Sequence, residues 1–148
     1  MNTHQYLRAY MAGSAVPTMM LLVVLSGFLA ARYGFAIPIP IERAIVFPMA
    51  LIPNIFGLWN MAYLWTRPRS HLAIGFHGAI LPFFIAPVGF LVATCSGFLA
   101  ATSNGLVWFH QIVVPYAVLA AAFCLALIAY YLVWKYVVGF FNGVLGIA

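Results

Sequence analysis

Four apolar runs, each long enough to cross a bilayer, take up nearly the whole of this 148-residue chain. The hydrocarbon core of a bilayer is about 30 Å thick, and a helix needs ~20 apolar residues to cross it. The runs are expected as spans at about 15–33, 43–66, 71–98 and 106–135, followed by an apolar tail at 137–148. The fold class that follows is all-α: a polytopic membrane protein, a four-transmembrane-helix bundle with short loops, forming a single transmembrane domain. Hydrophobic residues make up 67% of the chain and charged residues 5%, against about 25% charged in an average soluble domain. So few charges could not cover the surface of a soluble domain. A bilayer removes that requirement, because its core selects apolar surface.

The net charge of +5 comes from Arg8, Arg32, Arg43, Arg67, Arg69 and Lys135, set against Glu42. These residues lie at the ends of the runs and form no patch, which excludes a nucleic-acid partner and fits membrane topology. The first 31 residues imitate a secretory signal, with Arg8, an apolar stretch and then Leu29-Ala30-Ala31. The stretch exceeds the about 7–15 residues of an ordinary signal core, so it is read as the first span.

The connections follow from prolines and polar clusters. Pro38 and Pro40 make an extended loop of 34–41. The short segment Arg67-Pro68-Arg69-Ser70 joins spans two and three as a helical hairpin, with Ser70 as N-cap. Pro82 and Pro87 kink span three, which ends near Gly97. Thr102-Ser103-Asn104-Gly105 is the next turn, and Pro115 kinks span four. Arg8, Arg67, Arg69 and Lys135 then share one side and Arg32 and Arg43 the other. That bias expects a cytoplasmic-type membrane with both termini in the cytoplasm. Trp65, Trp108 and Trp134 fall at span ends, where an aromatic belt is expected.

Polar residues at membrane depth are costly, so each is expected to have a partner or a job. Reflection about the 67–70 turn pairs Asn60 with His77, as glue between helices or as a proton or substrate group. Reflection about the 102–105 turn sets Gln111 opposite Ser96 and His110 opposite Gly97. Arg32 and Glu42, on the same outer side, are expected as an outer-face ion pair with snorkelling side chains; the alternative is an outward-facing polar vestibule formed with Ser96, His110 and Gln111. Asn54 and Trp59, beside Pro53 and Gly57, mark a kinked mid-membrane segment, read as a helix–helix contact face or as a ligand or ion path. The candidates for a ligand or ion path are thus Asn54, Trp59, Asn60, His77, Ser96, His110 and Gln111.

His77 and His110 resemble axial haem ligands in type. Their heights differ by roughly 20 Å, so one iron cannot take both within a subunit. No metal site is expected, and the sequence specifies no cofactor. Cys95 and Cys124 are expected as small, buried, free thiols. Gly75, Gly78 and Ala79 on span three, and Ala117, Ala121 and Cys124 on span four, offer close-packing faces. With Glu42 as the one acidic side chain, no catalytic triad, acidic metal cluster or phosphate loop is present, and catalysis is the weakest class. The chain reads as a non-catalytic membrane subunit or binding module, partnered by the lipid bilayer and by a homo-oligomer or a membrane-complex partner. The alternative is a small permease or channel with a polar path at the kinked helices.

Overall fold

The structure is a computed structural model that describes residues 3–36, 47–108 and 112–147. It is mostly helical, and the described residues cluster into two compact units, one of Met1–Leu72 with Tyr136–Ala148, the other of Ala73–Lys135. Among the described residues, three helices are long and apolar enough to cross a membrane: His4–Gly34, Ile74–Cys95 and Tyr116–Val144.

In the first unit, α1 (Thr3–Gly34) and α2 (Phe47–Ser70) run antiparallel. Their crossing is close because glycines stand at it. A Cβ on Gly13 would lie 2.5 Å from the Phe56 carbonyl oxygen and 2.9 Å from Asn60 Cβ, and one on Gly57 would lie 2.6 Å from the Tyr10 ring. In lipid, helices associate through such close backbone approach, because the surrounding tails are as apolar as the side chains. α2 has the length of a span. Its mean hydropathy is lowered by Asn54, Asn60 and the Thr66–Ser70 end, and it does not join the three apolar helices.

The apolar tail is helical. α6 (Gly139–Val144) continues from a π-helical turn at Val133–Val138. It ends in a Schellman motif: Gly146, at φ +65°, lets its own N–H reach the Gly143 carbonyl and the Ile147 N–H reach Asn142. Ile147 then packs with Ala9 and Ala12, joined by Met61, Leu64, Phe141 and Leu145.

In the second unit, Ala73 precedes α3 (Ile74–Ile80), which joins α4 (Pro82–Cys95) at Leu81. Pro82 takes the first position of α4, where its missing N–H is harmless. α4 ends in a second Schellman motif: Gly97, at φ +73°, bonds Thr94, and Phe98 bonds Ala93. α5 (Tyr116–Leu132) packs on α3. Gly75 faces the Tyr131 ring and Gly78 faces Trp134, so close that a Cβ on either would collide. Phe76 with Tyr131 and Phe83 with Phe123 meet edge to face at 5.1 and 5.2 Å.

Several expectations are corrected here. The fold is not all-α: β1 (Leu99–Thr102), β2 (Gly105–Trp108) and β3 (Ile112–Val114) form an antiparallel meander where span four was expected to begin. Leu106-Val107-Trp108 and Ile112-Val113-Val114 are rich in β-branched and aromatic residues, which suit strands. Ser103-Asn104 provides a two-residue turn between β1 and β2. Pro115 therefore kinks nothing. It is the extended residue before α5, at φ −59° and ψ 147°. Likewise Ser70 is not an N-cap, since α2 runs through Ser70, whose hydroxyl donates to the Thr66 carbonyl. Trp134 is fully buried rather than in a belt. The row Ala117, Ala121 and Cys124 is exposed rather than packed.

Candidate functional site

The most enclosed polar group in the first unit is Asn60, on the α1-facing side of α2, with no exposed surface. Its Nδ2 donates to the Ala9 carbonyl at 2.8 Å and to Asn142 Oδ1 at 2.8 Å. Asn142 Nδ2 donates back to Asn60 Oδ1 at 3.2 Å. Two side-chain amides thus clasp each other and one main-chain carbonyl, tying α1, α2 and α6 together. Asn142 is itself buried. The arrangement follows from the cost of burying an amide without partners, which is several kcal/mol in hydrocarbon at ~4–8 on the most apolar scale. Amides are neutral, so the clasp offers hydrogen bonds rather than a proton to transfer.

Six residues before Asn60 on α2, about one and two-thirds turns, Asn54 is exposed. Its Oδ1 accepts the Tyr10 hydroxyl, and its Nδ2 donates to the Ala50 carbonyl at 2.6 Å. This is a second tie between α1 and α2, on the outside of the pair. Ser14, Thr18, Ser26, Thr66 and Thr94 turn their hydroxyls back onto carbonyls three or four residues earlier. Such back-bonding satisfies a hydroxyl within its own helix.

Two arginines gather at the end of this unit. Arg8 Nη1 donates to the Leu145 carbonyl and Arg67 Nη1 to the Ile147 carbonyl, both at 3.4 Å. Cations beside the last carbonyls of a helix complement its dipole. The start of α1, the end of α2 and the end of the tail consequently lie at one end of the unit.

The expected site residues divide between the units. Asn54 and Asn60 lie on α2 against α1, with Trp59 half-buried between them in sequence. The partner expected for Asn60, His77, is not the partner found: Asn142 and Ala9 hold that amide. His77 is a buried residue of α3 whose ring meets the Trp134 ring edge to face at 5.9 Å. Ser96 is the exposed C-cap of α4. Arg32 lies over the Tyr33 ring at 5.8 Å. Glu42, His110 and Gln111, and with them the outer-face ion pair and the Ser96–Gln111 pairing, lie outside the described residues. Among the described residues, no group of three His, Cys, Asp or Glu could hold a metal ion. Cys95 and Cys124 are free but exposed rather than buried, since α4 and α5 turn those positions outward.

Sequence reasoning missed Asn142 and Tyr10. The signal for Asn142 was its position: one amide inside the apolar run Phe140-Phe141-Asn142-Gly143 demands a partner. Tyr10 gave no such signal, because a tyrosine near a span end is ordinarily a belt residue.

No family model, curated protein or solved structure matches this chain.

Proposed function

We propose that this is a small integral membrane protein that acts as a non-catalytic membrane subunit or binding module, associating with further copies of itself or with other membrane-embedded chains. The observation that carries this reading is that the polar side chains are engaged within the chain, Asn60 and Asn142 in its interior and Asn54 with Tyr10 on its flank, while the apolar faces stand open. Asn60, Asn142, Tyr10 and Asn54 are engaged with one another and with main-chain carbonyls. Only 11%, 17% and 6% of the most apolar windows of the three candidate spans are buried within the chain. Their remaining surface calls for lipid or for neighbouring helices.

In this reading α2 is a fourth crossing, completing the four-helix bundle. Arg8 near the start of the chain and Arg67 near the end of α2 both reach the tail carbonyls. A chain whose two ends share a side crosses an even number of times, and the three apolar helices are an odd number. α2, at about 36 Å for 24 residues, is long enough to supply the missing crossing. The basic residues at that shared end favour the cytoplasmic side for both termini.

Extraction of the full chain with its surrounding lipid, followed by native mass spectrometry, tests the assignment. The expected mass exceeds that of one chain with its lipids. A single chain, stable alone at every concentration, contradicts it.

A second reading, a small permease or channel, has one observation in its favour. Asn54 with its Tyr10 partner is exposed on the flank of the α1–α2 pair, next to Pro53. A polar path there would need another copy to complete it. Flux through vesicles containing the full chain, abolished by Asn54→Leu, would favour this reading over the first.

A further inference from the structure

Between Arg69 and Lys135 the sequence holds no Asp, Glu, Lys or Arg. In the middle of this stretch the meander stands between two apolar helices, α4 before it and α5 after it. Strand register puts Leu99, Trp108 and Ile112 in one row and Ala101, Leu106 and Val114 in another, on the same face. Ala100, Val107 and Val113 form a row on the opposite face. An antiparallel sheet in water ordinarily carries polar residues on its outer face. Here both faces are apolar apart from Thr102 on the second, and both are open at β3, where Ile112 is 60% exposed and Val113, on the other face, 54%, while Leu99 on β1 is buried.

The sheet edges impose the opposite demand. β1 and β3 are the outer strands, so each turns one row of backbone N–H and C=O groups away from the sheet. Open sheet edges are not tolerated in hydrocarbon, where each unsatisfied group costs several kcal/mol. Apolar faces argue against water, and polar edges argue against the hydrocarbon core. The layer between the two accepts both. Trp108 on β2 and Tyr116 at the start of α5 are the residue types that favour that layer, and the Tyr116 hydroxyl donates to the Thr102 carbonyl at 2.8 Å, joining α5 to β1. β1 also packs against α4.

We propose that the meander formed by β1, β2 and β3 docks into the headgroup–acyl boundary of the membrane, and that its partner is a lipid surface recognised without charge. This rests on the reading of α4 and α5 as membrane-crossing helices. With no charged side chain in the meander, docking is independent of anionic lipid.

The test uses the full chain with Cys95→Ser and Cys124→Ser, carrying a single bimane-labelled cysteine, in phosphatidylcholine vesicles brominated at shallow or deep acyl positions. Ile112→Cys and Val113→Cys report the two faces of the meander, and Leu125→Cys reports mid-α5, where Leu125 is 67% exposed. The expected result is quenching at 112 and 113 at least about twofold stronger with shallow than with deep bromine, as for a segment lying ~5–10 Å into the boundary. At 125 the deep bromine should quench more strongly. Replacing a third of the lipid with phosphatidylglycerol should leave the pattern unchanged.

The proposal is overturned if aqueous iodide quenches 112 and 113 while lipid bromine does not, since the meander then stands in water. It is also overturned if neither quenches, which would place a protein partner there, or if quenching depends on anionic lipid. Deep bromine quenching best at 112 and 113 contradicts it as well. Loss of lipid quenching at 125 identifies a different failure, that of the membrane-crossing helices themselves, and removes the proposal with them.

Discussion

Asn60 and Asn142, 82 positions apart, exchange two hydrogen bonds at 2.8 and 3.2 Å inside the first unit. The pair joins α2 to α6, and through the Ala9 carbonyl it also holds α1. The apolar tail is thereby part of the packed structure, and its end is drawn to Arg8 and Arg67.

Removing one member of this clasp should cost more than its share of the bonds. Asn142→Leu leaves the buried Asn60 amide short of partners, a loss of about 1–3 kcal/mol. The double variant Asn60→Leu with Asn142→Leu should be less destabilised than the sum of the singles, with a coupling of ~0.6–2 kcal/mol as for other interhelical bonds in membranes. Reversible unfolding in mixed micelles measures all four states. Additive effects would remove the clasp from the account.

The crossing of α3 with the Trp134 turn depends on the absence of a side chain at Gly78. Gly78→Ala places a Cβ against the Trp134 ring, and such overpacking costs about 1–3 kcal/mol. Among the described residues, nothing lies within 4 Å of a Cβ on Gly27. Gly27→Ala should therefore be neutral, or stabilising by up to about 1 kcal/mol. Thermal midpoints of the two variants in the same detergent compare them. Equal shifts would contradict the packing described.

Tyr10→Phe tests the outer tie to Asn54. The pair is exposed, so its loss should lower stability by only about 0.6 kcal/mol. Tyr10→Ala should cost more, because the ring that covers Gly57 is lost with it. A Phe variant as damaged as the Ala variant would mean that the hydroxyl, not the ring, holds the helices.

The apolar helices were legible because hydropathy over some twenty residues is a property of the run itself. The stop at Gly97 was legible too, since a glycine after a long run can take the left-handed conformation that a helix end requires. The meander was not. A run such as Leu106–Trp108 is too short for periodicity to separate strand from helix. Pro115 did not discriminate: it biases Val114 toward extended backbone, but it suits a helix start as well as it suits a kink.

The partner of Asn60 was misassigned for a different reason. Reflection about a turn assumes that spans adjacent in sequence pack on each other at equal depth. The Asn60 amide is satisfied within its own unit, where α2 packs on α1 with Gly13 against Phe56 and Ala9 against Asn60. Glycine and alanine at these α1 positions permit that approach, but their complementarity to α2 emerges only when the two helices are set side by side. Asn142 lies in a run too short to cross a membrane alone, so its depth could not be placed by counting.

The proposed four-crossing arrangement puts the start of α1 and the end of α2 on one side of the membrane. Sided labelling of single cysteines in sealed vesicles tests this most directly, with Gln5→Cys near the start, His71→Cys after α2 and Asn104→Cys at the β1–β2 turn. The account predicts that 5 and 71 react from the same side and 104 from the other. Reaction of 5 and 71 from opposite sides would make α2 no crossing and would contradict the four-span arrangement.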